Sequence, residues 1–256
     1  MGFTFNNITS KEMNIKARIE SFSVVPSLRN RSVQISGKDG LYDFGCELSE
    51  RNIVFDCYIF PQISKARLLE IADNLAVSLE PKQGAKQLVL DDMPNRYFMA
   101  RLSDGIDVQK LIQNSGSFTL NFVAYDPYGY AINDEIFELD TDGNHSITRT
   151  LGNTESLPIY ELQADIPSST DTITITTNGV ALVVKGELLE DETLVIDSSL
   201  MTAKVIDEYG ATLRNGLLLI DEYNFPSLES GDNLLSITEN GATFISLTIT
   251  AQSRWR

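Results

Sequence analysis

The chain has 256 residues and a formal net charge of −16, from 36 Asp and Glu against 20 Lys and Arg. This length favours two domains of ordinary size, although one large β-sandwich also fits. The sequence has no run of 18 apolar residues and no basic N-terminal stretch followed by an apolar one. We therefore expect neither a membrane span nor a signal peptide.

The charge is distributed unevenly along the chain. Residues 1–130 carry 14 Lys and Arg against 15 Asp and Glu, a net charge of −1, whereas residues 131–256 carry 6 against 21, a net charge of −15. This change predicts two domains, 1–133 and 134–256. The acidic half would repel a phosphate backbone, so we expect no specific nucleic-acid binding. The charge favours solubility, with a basic partner as the alternative.

The first half begins with strand signals. Residues 14–25 and 32–36 have strand-like composition, and Asp39-Gly40 is a hairpin-turn signal. In residues 52–60, Ile53, Phe55 and Cys57 fall on one face of a period-two pattern. These patterns predict strands, the last of them half-buried.

A single helix is predicted next. Ser64 is a good N-cap, and Pro81 and Gly84 stop the helix. Apolar residues recur between them at helical spacing: Leu68, Ile71, Leu75 and Leu79. A one-sided stripe packs against a sheet, for which residues 88–90, 96–102 and 118–125 provide strands. The predicted class of this half is α+β, with β-sheets and one packed helix.

The second half has only strand signals. Three dipeptides, Asn178-Gly179, Asn215-Gly216 and Asn240-Gly241, are type I′ turn candidates between β-branched runs. With residues 193–197 and 202–206 added, about eight short strands predict an all-β sandwich or jelly roll.

The acidic run after residue 137 partly matches two known patterns, a calcium loop and a glycosidase site. Asp140, Asp142 and Asn144 alternate as calcium ligands do, but His145 and Leu151 stand where an EF-hand loop needs glycine and glutamate. The run E-x-D at 138–140 begins a glycosidase pattern that then lacks its last acid. We interpret it as an acidic interdomain loop and expect no metal.

Other enzyme signatures are absent from the sequence. The single histidine excludes multi-histidine zinc sites, and no G-x-S-x-G, P-loop or G-x-G-x-x-G motif occurs. We therefore expect no enzyme and no cofactor. The two cysteines, Cys46 and Cys57, fit buried packing, with one disulfide as the alternative. Among the aromatic residues of the second half, only Tyr209 and Tyr223, beside turns, are candidates for an exposed binding surface.

The order of several short motifs along the chain is more informative than any one of them. In the first half these are Gly40-Leu41-Tyr42, the helix, Asp92-Met93-Pro94 before Tyr97-Phe98, and Asp126-Pro127. In the second half they are Gly152-Asn153 before Pro158-Ile159, Thr177-Asn178-Gly179, Val195-Ile196-Asp197, Phe225-Pro226-Ser227-Leu228, Gly231-Asp232-Asn233 and Trp255. This order resembles the distal tail protein (Dit) family of long-tailed siphophages.

The resemblance implies a structural tail protein. Six copies of the N-terminal module would form a homo-hexameric ring, the ring-forming tail-hub domain, around a channel through which the genome passes. The ring would join the tail tube protein to the tail-associated tip protein. The C-terminal galectin-like sandwiches would position receptor-binding or baseplate proteins. The implied location is the virion tail tip, after assembly in the bacterial host cytoplasm. The alternative is a carbohydrate-binding module that aids adsorption to the host surface.

The resemblance also implies an arm that embraces the neighbouring protomer. Its candidate here is the segment 26–42, which is polar and longer than a hairpin turn requires. Arg29, Arg31, Lys38 and Tyr42 are the predicted ring-interface residues, and a free surface loop is the alternative. A near-neutral ring half fits this arrangement, because a large like charge would oppose close approach of the copies.

Overall fold

A computed structural model describes residues 2–60, 62, 64–106 and 117–256. The chain divides into two compact units, Met1–Ile132 with Arg256, and Asn133–Trp255. Both units are built mainly of antiparallel strands, so the predicted predominance of β-structure is confirmed.

One main sheet organises the first unit. Its elements in chain order are β1 (Phe3–Phe5), β2 (Ile8–Thr9), β3 (Lys16–Phe22), β4 (Leu28–Val33), β5 (Tyr42–Leu48), β6 (Arg51–Tyr58), α1 (Lys65–Ser78), β7 (Lys86–Leu90), β8 (Met93–Leu102), β9 (Ser117–Ala124) and β10 (Gly129–Ala131). The sheet runs in the order β2-β1-β7-β8-β9-β6-β3, and β10 pairs with β8. Strands β4 and β5 stand outside it and pair only with each other among the described strands.

The helix α1 forms as its sequence predicts. The Ser64 hydroxyl accepts a hydrogen bond from the Arg67 backbone N–H at 3.3 Å, which satisfies one of the free donors at the helix start. Ile71, Leu75 and Leu79 are buried in the same core as the strands. The apolar stripe therefore packs on the sheet.

An aromatic cluster fills the centre of the first core. The ring of Phe3 lies 4.7 Å from that of Phe55 and 5.5 Å from that of Phe122, between ring centroids. These tilted and edge-on arrangements suit the charge distribution of aromatic rings. The cluster joins β1, β6 and β9, which are distant in sequence.

Two sheets share one core in the second unit. Its strands are β11 (Ile136–Leu139), β12 (Gly143–Arg149), β13 (Ile159–Asp165), β14 (Thr172–Thr177), β15 (Val180–Lys185), β16 (Thr193–Asp197), β17 (Thr202–Ile206), β18 (Thr212–Asn215), β19 (Ile220–Asp221), β20 (Gly231–Asn240), β21 (Thr243–Thr250) and β22 (Arg254–Trp255). One sheet has the order β11-β21-β13-β16-β17-β18 and the other β12-β20-β14-β15-β19. Alternate residues of both sheets enter the same buried cluster.

One of the three Asn-Gly turns forms as predicted. Asn178 and Gly179 have φ values of 50° and 85° between β14 and β15, as a type I′ turn requires. The type I′ hairpin turn predicted at Asn240-Gly241 is wrong, because Gly241 has a φ of 70° but Asn240 still belongs to β20, and the next strand, β21, lies in the other sheet. The type I′ turn predicted at Asn215-Gly216 is also wrong. Gly216 has a φ of −88° and leads into a 3₁₀ turn, and a Cβ there would come within 2.5 Å of the Leu194 side chain. Its glycine permits close packing rather than chain reversal.

Three local features differ from what the sequence suggests. The strand predicted at 32–36 is β4, which starts at Leu28 because it pairs with β5 from Leu28↔Leu48 to Val33↔Tyr42. The motif Asp92-Met93-Pro94 lies at the hairpin between β7 and β8, and its Met93 already pairs with Leu90 in the ladder of these strands. The acidic run near residue 140 links β11 and β12 inside the second unit, so its interpretation as an interdomain loop is wrong.

A carboxylate holds the end of the second unit together. Glu135 accepts hydrogen bonds from the Thr150 N–H (2.8 Å), the Thr150 hydroxyl (2.7 Å), the Leu151 N–H (3.0 Å) and the Ser253 hydroxyl (3.3 Å). Burial alone would raise the pKa of Glu135, but these hydrogen bonds hold it below its ordinary value. The charged carboxylate therefore stabilises the contact between the first and last segments of the unit.

Candidate functional site: an exposed hairpin

The most unusual surface of the first unit is the exposed hairpin, which we define as residues 28–48 (β4, β5 and the loop between them). All six residues of β4 and the first five of β5 are exposed. No third strand pairs with this hairpin among the described residues. Because an isolated two-stranded hairpin is marginally stable in water, the arrangement calls for a further supporting surface.

The hairpin and the residues just before it carry many large exposed apolar side chains. These are Val24, Val25, Leu28, Val33, Ile35, Leu41, Tyr42 and Phe44. Phe44 alone leaves 67% of its surface exposed. Large exposed apolar side chains concentrated in one short segment are typical of interaction sites in soluble proteins. The hairpin is therefore the leading candidate for a protein-binding site.

Three of the apolar side chains, those of Val33, Tyr42 and Phe44, fall on one face of the hairpin. Val33 pairs with Tyr42, and the two-residue period of a strand places Phe44 on the same face as Tyr42. The ladder shifts register between Asn30 and Ser32, and Gly45 adopts a φ of 90° on the opposite strand. Such a bulge increases the twist of the hairpin, which discourages indiscriminate edge pairing.

The four residues predicted for the ring interface all lie on the exposed hairpin. Arg29 and Arg31 both form ion pairs with Glu47 on the opposite strand. The hydrogen bond from Arg29, with support from the charge of Arg31, lowers the pKa of Glu47. The Lys38 ammonium lies 4.1 Å from the centroid of the Tyr42 ring and donates a hydrogen bond to its hydroxyl.

The arginines and the lysine therefore cross-link the hairpin itself. Ion pairs at such exposed positions contribute little stability individually, but they orient the two strands. The residues that sequence reasoning missed are the apolar ones, above all Phe44. Their signal was present in the alternation of Val33 with Ile35 and in the apolar positions around Tyr42.

Backbone hydrogen bonds close the root of the hairpin, and a buried arginine follows it. The Ser27 N–H donates to the Glu50 carbonyl at 3.1 Å, and the Ser49 N–H donates to the Ser27 carbonyl at 2.7 Å. Arg51 follows at once, with only 1% of its surface exposed. Sequence reasoning also missed Arg51, because an arginine at the start of a strand is ordinarily a surface residue.

The two cysteines are free thiols in different environments. Cys46 is exposed on β5, and Cys57 is buried in β6. Burial, with a smaller contribution from the charge of Asp56, raises the pKa of Cys57 to about 12. Only Cys46 therefore presents a thiol that reagents can reach at neutral pH.

The other candidates from the sequence occupy separate places. Tyr209, which is 86% exposed, lies on the turn after β17, and Tyr223 lies on the segment after β19. Within residues 2–60, 62, 64–106 and 117–256, no group of three or more His, Cys, Asp or Glu side chains could hold a metal ion. No helix of this described part is long and apolar enough to span a membrane.

Comparisons with known proteins find a matching domain family and a solved structure of similar fold. Residues 6–124 match the family of phage tail protein RIFT-related domains. A search of curated proteins finds no match. The crystal structure of SPP1 Dit, described as a paradigm of hub adsorption apparatus in Gram-positive infecting phages, is 16% identical and superposes with a TM-score of 0.75, covering 100% of this chain and 99% of that chain.

Two structures of the phage p2 baseplate in its activated conformation are more distant. The strontium form is 13% identical, covers 93% of this chain and 92% of its own, and has a TM-score of 0.46. The calcium form is 12% identical, covers 94% and 91%, and has a TM-score of 0.47. These two likenesses are too weak to support an argument. The first unit nevertheless matches a phage tail domain, and the whole chain has a Dit-like fold. The resemblance to the distal tail protein family of siphophages, predicted from the order of the motifs, is thus confirmed.

Proposed function

We propose that this protein is a structural component of the phage tail tip, a distal tail hub that assembles with copies of itself through its first unit. The observation that carries the proposal is the exposed hairpin, which presents uncovered apolar side chains on a phage tail domain. Burying them against a neighbouring copy would remove that surface from water, which is the main favourable contribution to most protein association.

The charge distribution supports the same assembly. Residues 1–130 have a net charge of −1, so copies of this part can approach one another with little long-range repulsion. The acidic remainder of the chain, at −15, is better suited to the outside of an assembly. In the proposed hub the first unit forms a hexameric ring, and the second, galectin-like unit points outward.

The proposed partners follow from this placement at the tail tip. One side of the ring meets the tail tube protein and the other the tail-associated tip protein, while receptor-binding or baseplate proteins attach to the outer units. The genome passes through the channel without specific contacts. An assembly of this kind is completed in the host cytoplasm and ends at the tip of the virion tail.

Light scattering after size exclusion tests the proposal on the full chain. Six copies of the 28.4 kDa chain would have a mass of about 170 kDa. We expect this species alone or with a tail-tip partner, and class averages from electron microscopy should show a six-fold ring. Salt should favour the assembly, because it screens repulsion between the acidic units beyond about 8 Å. A monomer at every salt and partner condition would contradict the hub.

A further inference from the structure

We infer that Arg51 is a positioning residue whose guanidinium fixes the root of the exposed hairpin to the body of the first unit. The local part of this inference, that Arg51 sets the direction of the hairpin, stands by itself. Its consequence for assembly rests on the proposed function. The Arg51 side chain does not belong to the exposed apolar surface. It affects assembly only through the hairpin whose root it holds.

The guanidinium connects two segments that lie just beyond strands of the main sheet, one after β3 and one after β9. Its Nε donates to the Pro127 carbonyl at 2.8 Å, in the loop after β9. Its Nη1 donates to the Ser23 carbonyl and, at 3.4 Å, to the Val24 carbonyl, in the segment that leads into the hairpin. One planar group therefore ties the entry of the hairpin to a loop 76 residues from Arg51 in sequence.

The surroundings keep this guanidinium in place. It lies over the rings of Phe22 and Phe98, 5.1 Å and 5.5 Å from their centroids. Burial and the nearby charge of Arg96 both lower the pKa of Arg51. A buried cation is retained only where hydrogen bonds and aromatic faces offset its lost hydration, and here both are present. A lysine could not reproduce the contacts, because its single ammonium lacks the planar fork.

The direction of the hairpin depends on its root because the described part of the chain offers it no third strand. Beyond the root, its backbone pairs only within itself. The backbone hydrogen bonds between Ser27 and the 49–50 segment close the hairpin but connect it to no other strand. Both ends of the hairpin continue from strands of the main sheet, β3 and β6, whose pairing ends at Phe22↔Ile53. The clamp of Arg51 on the Ser23 and Val24 carbonyls adds a side-chain contact between the hairpin entry and the rest of the unit.

A distance measurement tests the local inference directly. Cys46 accepts a spin label, whereas buried Cys57 does not, and Val77→Cys on α1, 74% exposed in the wild type, supplies the second site. Pulsed electron paramagnetic resonance on the full chain, diluted with unlabelled protein, reports distances within one protomer. In the Arg51→Gln variant we expect a clearly broader distance distribution than with Arg51 present. The unlabelled variant should self-associate about tenfold more weakly or worse, because a hairpin without a fixed direction must be ordered before it can bind a neighbouring copy.

Arg149→Gln is the matched control. Arg149 is also 1% exposed and also donates to backbone carbonyls, those of Glu229 and Thr154, but in the second unit. The control should lower the melting temperature and leave the label distances and self-association unchanged. If Arg51→Gln only destabilised the fold without changing the hairpin direction, its results would match those of this control.

An Arg51→Gln variant with a cooperative melt, an unchanged distance distribution and unchanged association would overturn the inference. If Arg51→Gln fails to fold, Arg51→Lys carries the test, since it keeps the charge and loses the fork. A lysine variant indistinguishable from wild type in both readouts would also overturn it. If the wild-type chain never self-associates, the hub is contradicted, but the distance distribution still decides the role of Arg51.

Discussion

Replacing Phe44 should separate hairpin-driven assembly from protomer stability. Phe44 exposes 67% of its surface, which for an aromatic side chain of about 200 Å² amounts to about 130 Å² of surface available to a partner. At about 25 cal/mol per Å², its complete burial contributes at most about 3 kcal/mol to each hairpin contact. We expect Phe44→Ser to weaken self-association by up to about 100-fold.

The protomer itself should be almost unaffected by this change. An exposed substitution away from caps and buried networks alters the free energy of unfolding by about 0.5 kcal/mol or less. Sedimentation velocity over a concentration series measures the association, and a thermal melt of the dissociated protein measures the stability. Tyr209→Ser is the matched control, because it removes an even more exposed aromatic side chain from the second unit.

The comparison of the two variants decides the outcome. Loss of assembly in Phe44→Ser with normal assembly in Tyr209→Ser supports the hairpin interface. Equal weakening in both variants would indicate non-specific hydrophobic association. Normal assembly in Phe44→Ser would refute the reasoning from exposed apolar area.

Three further results are expected. Converting both Arg29 and Arg31 to Glu places three acids together, the two new ones and Glu47. Light scattering should then show a less stable ring, while the protomer still melts cooperatively. An unchanged ring would show that these arginines are not part of the interface. A chelator should leave the melting temperature unchanged, and a fall of several degrees would reveal a structural ion. Burial alone would raise the pKa of Glu135, but the hydrogen bonds to its carboxylate lower this pKa. The charged Glu135 therefore stabilises the folded protein fully above the ordinary carboxyl pKa, and this stabilisation is lost as the pH falls through the lowered pKa. Acid titration of Glu135→Gln should show a smaller loss of stability over that range, and an identical titration curve would contradict this assignment.

Local chemistry in the sequence was sufficient for several elements. The helix follows from the Ser64 cap, the apolar stripe and Pro81, all within about twenty residues of one another. The turn at Asn178-Gly179 follows from the backbone preferences of those two residues. Strands β16 and β17 have the predicted bounds, since turn residues and β-branched runs delimit them. These signals act through neighbours in sequence, so no tertiary information is needed to read them.

The candidate site could be predicted only in part. The family resemblance predicts Arg29, Arg31, Lys38 and Tyr42 as interface residues, and all four lie on the exposed hairpin. The sequence did not show that the two arginines share Glu47 or that Phe44 is exposed. A strand of alternating apolar residues looks the same in sequence whether its apolar face meets a core or solvent.

The sequence by itself determined the helix, the turn at Asn178-Gly179, the prevalence of strands and the change in charge near residue 130. Only the tertiary structure decided which apolar side chains stay uncovered, which arginine is buried, and why Gly216 opens a 3₁₀ turn. The reason is physical. Propensities and caps depend on a few neighbouring residues, whereas burial depends on segments far apart in the chain, such as the Pro127 loop that meets Arg51.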